Sequence, residues 1–268
     1  MQIYSGASPV SFIYRGTDRL WVAPPSALFA VSGVGLWLDP SKRASLSQDS
    51  AGSVPVTAVG QPVGRILDQS GGGRHATQST SAARPTYRLD IYGRAYLEFD
   101  GVDDWMTTAS MALAAGGRTV IAALQKRSDA SVGTVVETGP DWSTTPGAIN
   151  LIAPATPAAG DYGSRTRPAA NPANLNSASS FAAPHMAVLS LRLATGNHLL
   201  RVNGVALNGA QPDSVSALTA PVNIGGRSNG SRFGALNLYG LVVIDRALTD
   251  VELAQAEAWM AAKCGVVL

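Results

Sequence analysis

The sequence predicts an all-β fold in which two antiparallel sheets pack as a sandwich, with a hairpin in front and one short helix at the end. Three observations carry that prediction. The apolar stretches are short, rich in Val, Leu, Ile and Thr, and divided by turn signals drawn from 28 glycines and 16 prolines. They do not alternate with helical segments as a parallel sheet requires, and a single stretch near the end has helical spacing with caps. The 268 residues suffice for a substantial core, in one large β domain or two small ones.

In chain order, Phe12-Ile13-Tyr14 and Leu20-Trp21-Val22 form a hairpin around Arg15-Gly16-Thr17-Asp18, closed by Pro24-Pro25. A lone two-stranded hairpin is marginal, so Phe12 and Trp21 need another surface, either the following domain or a second protein. The division expected is residues 1–30 for this segment and 31–268 for the main domain. That domain opens with Gly35-Leu36-Trp37-Leu38, stopped by Asp39-Pro40, and continues after a polar stretch with Gly64-Arg65-Ile66-Leu67-Asp68. In Tyr96-Leu97-Glu98-Phe99, Leu97 and Phe99 point to one face and Tyr96 and Glu98 to the other, before the Asp100-Gly101 turn and a resumed strand at Trp105-Met106. Further strands are expected at 118–125, 133–138, 148–153, 187–193, 198–203, 221–225 and 238–245. Asn203-Gly204, flanked by Val202 and Val205, is a strong hairpin signal. Residues 154–184, rich in Pro, Ala, Asn and Ser, read as a long surface loop. Thr249-Asp250-Val251-Glu252 is a capping box that starts a helix running to Lys263, and Gly265 stops it.

Composition excludes several classes. A net charge of +2 with only 14% charged residues argues against nucleic acid or an anionic membrane surface as partner. The single Cys264 permits no intrachain disulfide and no thiolate metal cluster. His75, His185 and His198 are too scattered for a zinc site, and neither a nucleophile elbow nor a phosphate loop occurs. No run of about twenty apolar residues is present, and Met1 to Ser5 lacks the features of a secretion signal. A soluble protein made in the cytoplasm, with no membrane insertion, is the expectation.

Several blocks carry a family resemblance. They are the strand ending at Asp68 with its Ser70-Gly71 turn, the stretch from Tyr96 to Trp105, Val202-Asn203-Gly204-Val205, and Asp245-Arg246-Ala247-Leu248-Thr249-Asp250-Val251-Glu252-Leu253. In this order, over about residues 33–268, the chain resembles the laminin-G-like or concanavalin-A-like jelly-roll domains of bacteriophage virion proteins. The resemblance implies a jelly roll and a non-enzymatic structural or adhesion role as tail fibre, head fibre or capsid decoration. It places the protein on the virion, with residues 1–30 docking onto other virion proteins, host-surface glycan as partner and a homo-oligomer, a trimer by analogy with fibres. Two alternatives stay open: a depolymerase of capsule or lipopolysaccharide, and a decoration protein with no ligand.

The chemistry centres on the acidic turn. Glu98, Asp100 and Asp103 have a spacing similar to that of the carboxylate strand of retaining glucanases, but Gly101 interrupts the strand and Asp103 is shorter than the expected glutamate, so no catalytic residue is assigned. Asp100, Asp103 and Asp104 are candidate ligands for Ca2+, which takes carboxylate and carbonyl oxygens; the alternative is that they cap their own turn. Trp142, Trp105 and Tyr162 sit beside expected loops and are the candidate sugar-stacking residues, with Trp142 first because Asp141-Trp142-Ser143-Thr144 is polar. Burial is the competing reading for all three, and Trp37 and Trp259 read as core anchors.

Overall fold

A computed structural model describes residues 25–32, 34–167, 173–177, 180–209 and 215–268, together with the backbone of four short strands within residues 4–22. It is a two-sheet antiparallel jelly-roll sandwich. The front sheet runs Val205–Gly209, Asn197–Val202, His185–Ala194, Gly117–Lys126, Ala235–Ile244, Ala95–Asp100, Thr86–Leu89, and Gly35–Leu38 pairs with the second half of Ala235–Ile244. The back sheet runs Ala173–Asn176, Gly163–Thr166, Ile149–Ile152, Thr134–Thr138, Val222–Ile224, Met106–Thr108, Ala76–Thr77, Arg65–Ile66, Leu46–Ser47.

Period-two alternation puts every second residue of each strand into the space between the sheets. From the front come Leu97, Phe99, Val120, Leu124, Leu189, Leu191, Leu238 and Val243; from the back come Ile66, Met106, Val136, Ile149, Leu151, Val222 and Ile224. One polar pair crosses this core: the Ser164 hydroxyl and His198 Nε2 are 2.7 Å apart, both fully buried. Burial pushes His198 down to about 4, with the Arg165 charge adding to the effect.

The front sheet is covered a second time. Its outer face packs Trp37, Ile121, Ala123, Val188, Tyr239 and Val242 against helices α1 (Ser26–Ser32) and α2 (Asp250–Cys264), which contribute Phe29, Trp259 and Met260. Buried on both faces, the centre of Gly117–Lys126 is therefore a continuous apolar run, Val120 to Leu124. Trp37 and Trp259, read as core anchors, meet edge to face at 5.5 Å. Helix α2 has the expected caps: Thr249 accepts from the Glu252 amide, the Glu252 carboxylate accepts from the Thr249 amide at 2.9 Å, and Gly265 takes the left-handed conformation. The Asn203-Gly204 turn joins its two strands with both residues at positive φ, as a type I′ turn requires.

Two expectations are corrected. Residues 154–184 are not one loop, because Gly163–Thr166 and Ala173–Asn176 extend the back sheet. These are short strands of polar sequence at a sheet edge, where little apolar alternation is needed. Helix α1, which the sequence reading does not contain, crosses the expected boundary between residues 30 and 31. At seven residues it is too short to show a period, and its position comes from Leu28 and Phe29 packing on the sheet. Phe12–Arg15 and Asp18–Val22 pair as the expected hairpin, and the backbone of the second strand lies beside α2. Among the described residues no helix is long and apolar enough to cross a membrane.

Candidate binding face

Among the described residues, no helix packs on the outer face of the back sheet. Polar residues on its short strands point outward: Asn223 between Val222 and Ile224, Asn150 between Ile149 and Leu151, Thr107 after Met106. Register aligns them. Ser47, Arg65, Thr77, Thr107, Asn223, Glu137, Asn150, Arg165 and Asn174 stand directly opposite one another in succession, one per strand across the sheet. At the usual strand spacing the row is about 38 Å long.

Its centre is closed over. Glu137 is fully buried, and its carboxylate accepts from Arg227 Nε at 3.0 Å, from the Ser228 amide at 3.3 Å and from the Trp142 amide at 3.4 Å. Burial raises its pKa while the Arg227 guanidinium opposes the rise. Arg227 also reaches Asp141 at 2.7 Å, so one side chain ties residues 137, 141 and 142 to the Gly225–Gly234 loop. That loop lies against Trp105: a Cβ on Gly226 would come 3.1 Å from the Trp105 Cβ and 2.8 Å from the Phe233 ring. Only glycine allows this approach.

Two amides at the centre are wholly or partly without protein partners. Asn150 is 0% exposed, and neither its Oδ1 nor its Nδ2 has a hydrogen-bond partner. In Asn223 the Oδ1 accepts from Thr107 Oγ1 at 2.9 Å, while the buried Nδ2 is unpartnered. Buried polar side chains are normally satisfied, and three unpartnered amide atoms fall on this row.

The candidate residues read from sequence separate into two groups. Trp105 and Trp142, both partly exposed, are brought to the Arg227 loop, Trp105 next to Gly226 and Trp142 through its amide to the Glu137 carboxylate that Arg227 holds. Tyr162 is corrected: it is fully buried, its hydroxyl 2.8 Å from His185 Nδ1 and its ring 5.5 Å from Phe181, in a cluster where Lys126 bonds the Gly160 carbonyl. It fills core instead of meeting solvent. Asp100, Asp103 and Asp104 place a carboxylate oxygen each within 4.8 Å of the others, immediately before Trp105. Asp100 Oδ1 accepts from the amides of Val102, Asp103 and Asp104, at 2.7, 3.2 and 3.4 Å, and Asp104 Oδ2 accepts from the Asp100 amide. The turn-capping role is thus met. Asp104 is also pushed up to about 6, first by burial and then by the Asp100, Asp103 and Glu98 charges, a surplus of negative charge that suits a hard cation.

Glu98 faces away from the core and is held by Arg88 at 2.7 Å and by Arg127. Both its oxygens are engaged by guanidinium groups.

The polar row and its unpaired amides are absent from the sequence reading. The available signal is a polar residue inside apolar triplets such as Val-Asn-Ile and Ile-Asn-Leu, which becomes a row only once register is known.

No protein-family model and no curated protein matches the chain. Solved structures match its fold. The botulinum neurotoxin serotype D ligand-binding domain in complex with N-acetylneuraminic acid superposes with a TM-score of 0.56 at 11% identity, over 84% of this chain and 50% of that one. The serotype G binding domain gives 0.55 at 8% identity, over 85% and 50%. The neurotoxin DC binding domain in complex with rat synaptotagmin II gives 0.53 at 8% identity, over 85% and 51%. The chain spans about half the length of these structures, and the likeness is one of fold: a lectin-like β-sandwich.

Proposed function

We propose that this chain is a non-enzymatic, lectin-like display domain that binds a glycan on the outer face of its back sheet. The observation that carries the reading is the polar row, with the partly exposed Trp105 and Trp142 both next to the Arg227 loop at its centre. Hydrogen-bonding groups at regular spacing beside aromatic rings are what a sugar's hydroxyls and apolar ring faces require. Support of another kind comes from the fold neighbours, one of which carries N-acetylneuraminic acid. The engagement of Glu98 by two arginines favours binding without cleavage.

The proposal extends to location through the sequence resemblance: a bacteriophage virion component, anchored by its N-terminal hairpin to other virion proteins and displayed as a homo-oligomer, a trimer. Ca2+, where bound, would be held by Asp100, Asp103 and Asp104. A glycan array with wild-type protein, Trp142→Ala and Trp105→Ala, with and without calcium, tests the binding. Retained glycans that either tryptophan variant loses, with no reducing ends released, are the expected result; turnover that Glu98→Gln abolishes would replace the lectin by a depolymerase. Mass spectrometry of purified particles tests the location, and light scattering the trimer.

A further inference from the structure

We propose that Asn150 and Asn223, on either side of Glu137, form the sugar-reading centre of this face, that its ligand is a neutral glycan, and that Arg227 is the latch over it. The inference rests on the glycan-binding reading above and goes beyond it in naming the centre and the ligand's charge.

The first argument is the free hydrogen-bonding capacity. Asn150 offers an acceptor and a donor group, and Asn223 a donor group, none with a protein partner. A hydroxyl is donor and acceptor at once, so adjacent hydroxyls of a pyranose match one amide in both senses. The two asparagines are two strands apart, about 10 Å, which fits neighbouring residues of one oligosaccharide better than one ring.

The second argument is charge. The carboxylate between the amides is already matched by Arg227, whose guanidinium serves both Glu137 and Asp141. Arg165, beyond Asn150, gives its Nη1 to the Ser164 and Leu175 carbonyls and the Asn176 side chain. An acidic sugar would find Arg227 already paired with two carboxylates, whereas the amide groups of Asn150 and Asn223 are uncharged.

The third argument is access. Both amides are buried, and Glu137, which stands opposite each of them, is held by Arg227, on a loop that carries Gly225, Gly226, Gly230 and Gly234. Sugar reaches the amides when Arg227 leaves Glu137 and Asp141 and the loop lifts. Association is then slower than for an open site.

The energetic signature makes the proposal testable. A buried amide with no partner weakens the fold, so replacing it by an apolar group of similar shape strengthens the fold. The experiment titrates wild type, Asn150→Leu and Asn223→Thr with cellotriose, maltotriose, mannotriose, xylotriose and chitotriose by calorimetry, with sialyllactose as the acidic arm, and records the melting temperature of each protein without sugar. Asn223→Thr keeps an oxygen for Thr107 and loses only the unpartnered Nδ2, which guards against a folding failure of the first variant. The expected result is a neutral trisaccharide bound by wild type and at least about 10-fold more weakly by both variants. Asn150→Leu should also melt about 2–4 °C higher than wild type. A lower melting temperature for Asn150→Leu shows that the amide serves the fold and overturns the proposal. Equal affinity in wild type and both variants overturns it while the glycan reading stands, as does binding of sialyllactose alone. Binding of no sugar here or on the array removes both readings.

Discussion

The two sheets obey the same alternation rule and present opposite outer faces. In front, Trp37, Tyr239 and Val242 meet Trp259 and Met260 of α2, so the helix-covered part of the outer face is apolar, while Glu98, Asn237 and Gln125 form a polar row beside it. Behind, Glu137, Asn150 and Asn223 lie under loops joined by one guanidinium, with buried amides left unpaired. Apolar cover under a helix is what stability alone selects; buried polar groups without partners weaken a fold and persist where a site uses them. On the reading proposed above, the helix-covered front face carries stability and the loop-covered back face the ligand.

The largest effect that could break this division is expected on the front. Met260→Ala, at a fully buried side chain, should cost about 2–5 kcal/mol in chemical denaturation and leave glycan affinity unchanged below the transition. Affinity lost in a still folded variant would show that the front face takes part in binding.

On the back face, Arg227→Leu leaves the buried Glu137 carboxylate uncompensated and should cost about 3 kcal/mol at pH 7. The sign with pH is fixed by the raised Glu137 pKa. A carboxyl whose folded pKa lies above its unfolded value favours the fold when protonated, so the variant should recover stability on acidification and lose it as pH rises. Denaturation midpoints of variant and wild type between pH 4 and 8 check this; a penalty independent of pH would mean the arginine acts through packing.

The seam between the sheets has its own pH dependence. His198 is lowered from 6.5 to about 4, so the unfolded chain binds its proton more readily and stability falls as pH drops from about 6.5 toward 4, by up to about 3 kcal/mol. Asp104, raised to about 6, acts in the opposite sense, losing stability as pH rises from about 4 to 6. Unfolding curves of His198→Gln and Asp104→Asn should therefore deviate from wild type in opposite directions between pH 4 and 6.5, and deviations of the same sign would refute the assignment. The smallest stability change is expected for Trp142→Ala, within about 0.5 kcal/mol of wild type, with glycan affinity reduced at least about 10-fold.

What could be read beforehand follows the range of the interactions involved. The Asn203-Gly204 hairpin, the Thr249 to Glu252 capping box and the alternation of Leu97 and Phe99 are local, and each stands in the structure as its residues dictate. Helix α1 and the Gly163–Thr166 strand are set by packing and pairing with distant segments, and their own sequences are too short or too polar to announce them. The site divides the same way. Trp105 and Trp142 were visible as aromatics beside polar turns, whereas their shared loop depends on Gly226 and Arg227, some eighty residues or more further along. Tyr162 misled because a polar neighbourhood in sequence gave no hint of the Phe181 and His185 rings that bury it.

Hydrogen-exchange mass spectrometry of the wild-type protein, free and saturated with the strongest-binding oligosaccharide, tests the central claim most directly. The account predicts sugar-dependent protection over residues 137–151, 163–166 and 222–228, with α2 and residues 117–126 unchanged. Protection confined to α2 or to the Asn203-Gly204 turn would contradict it.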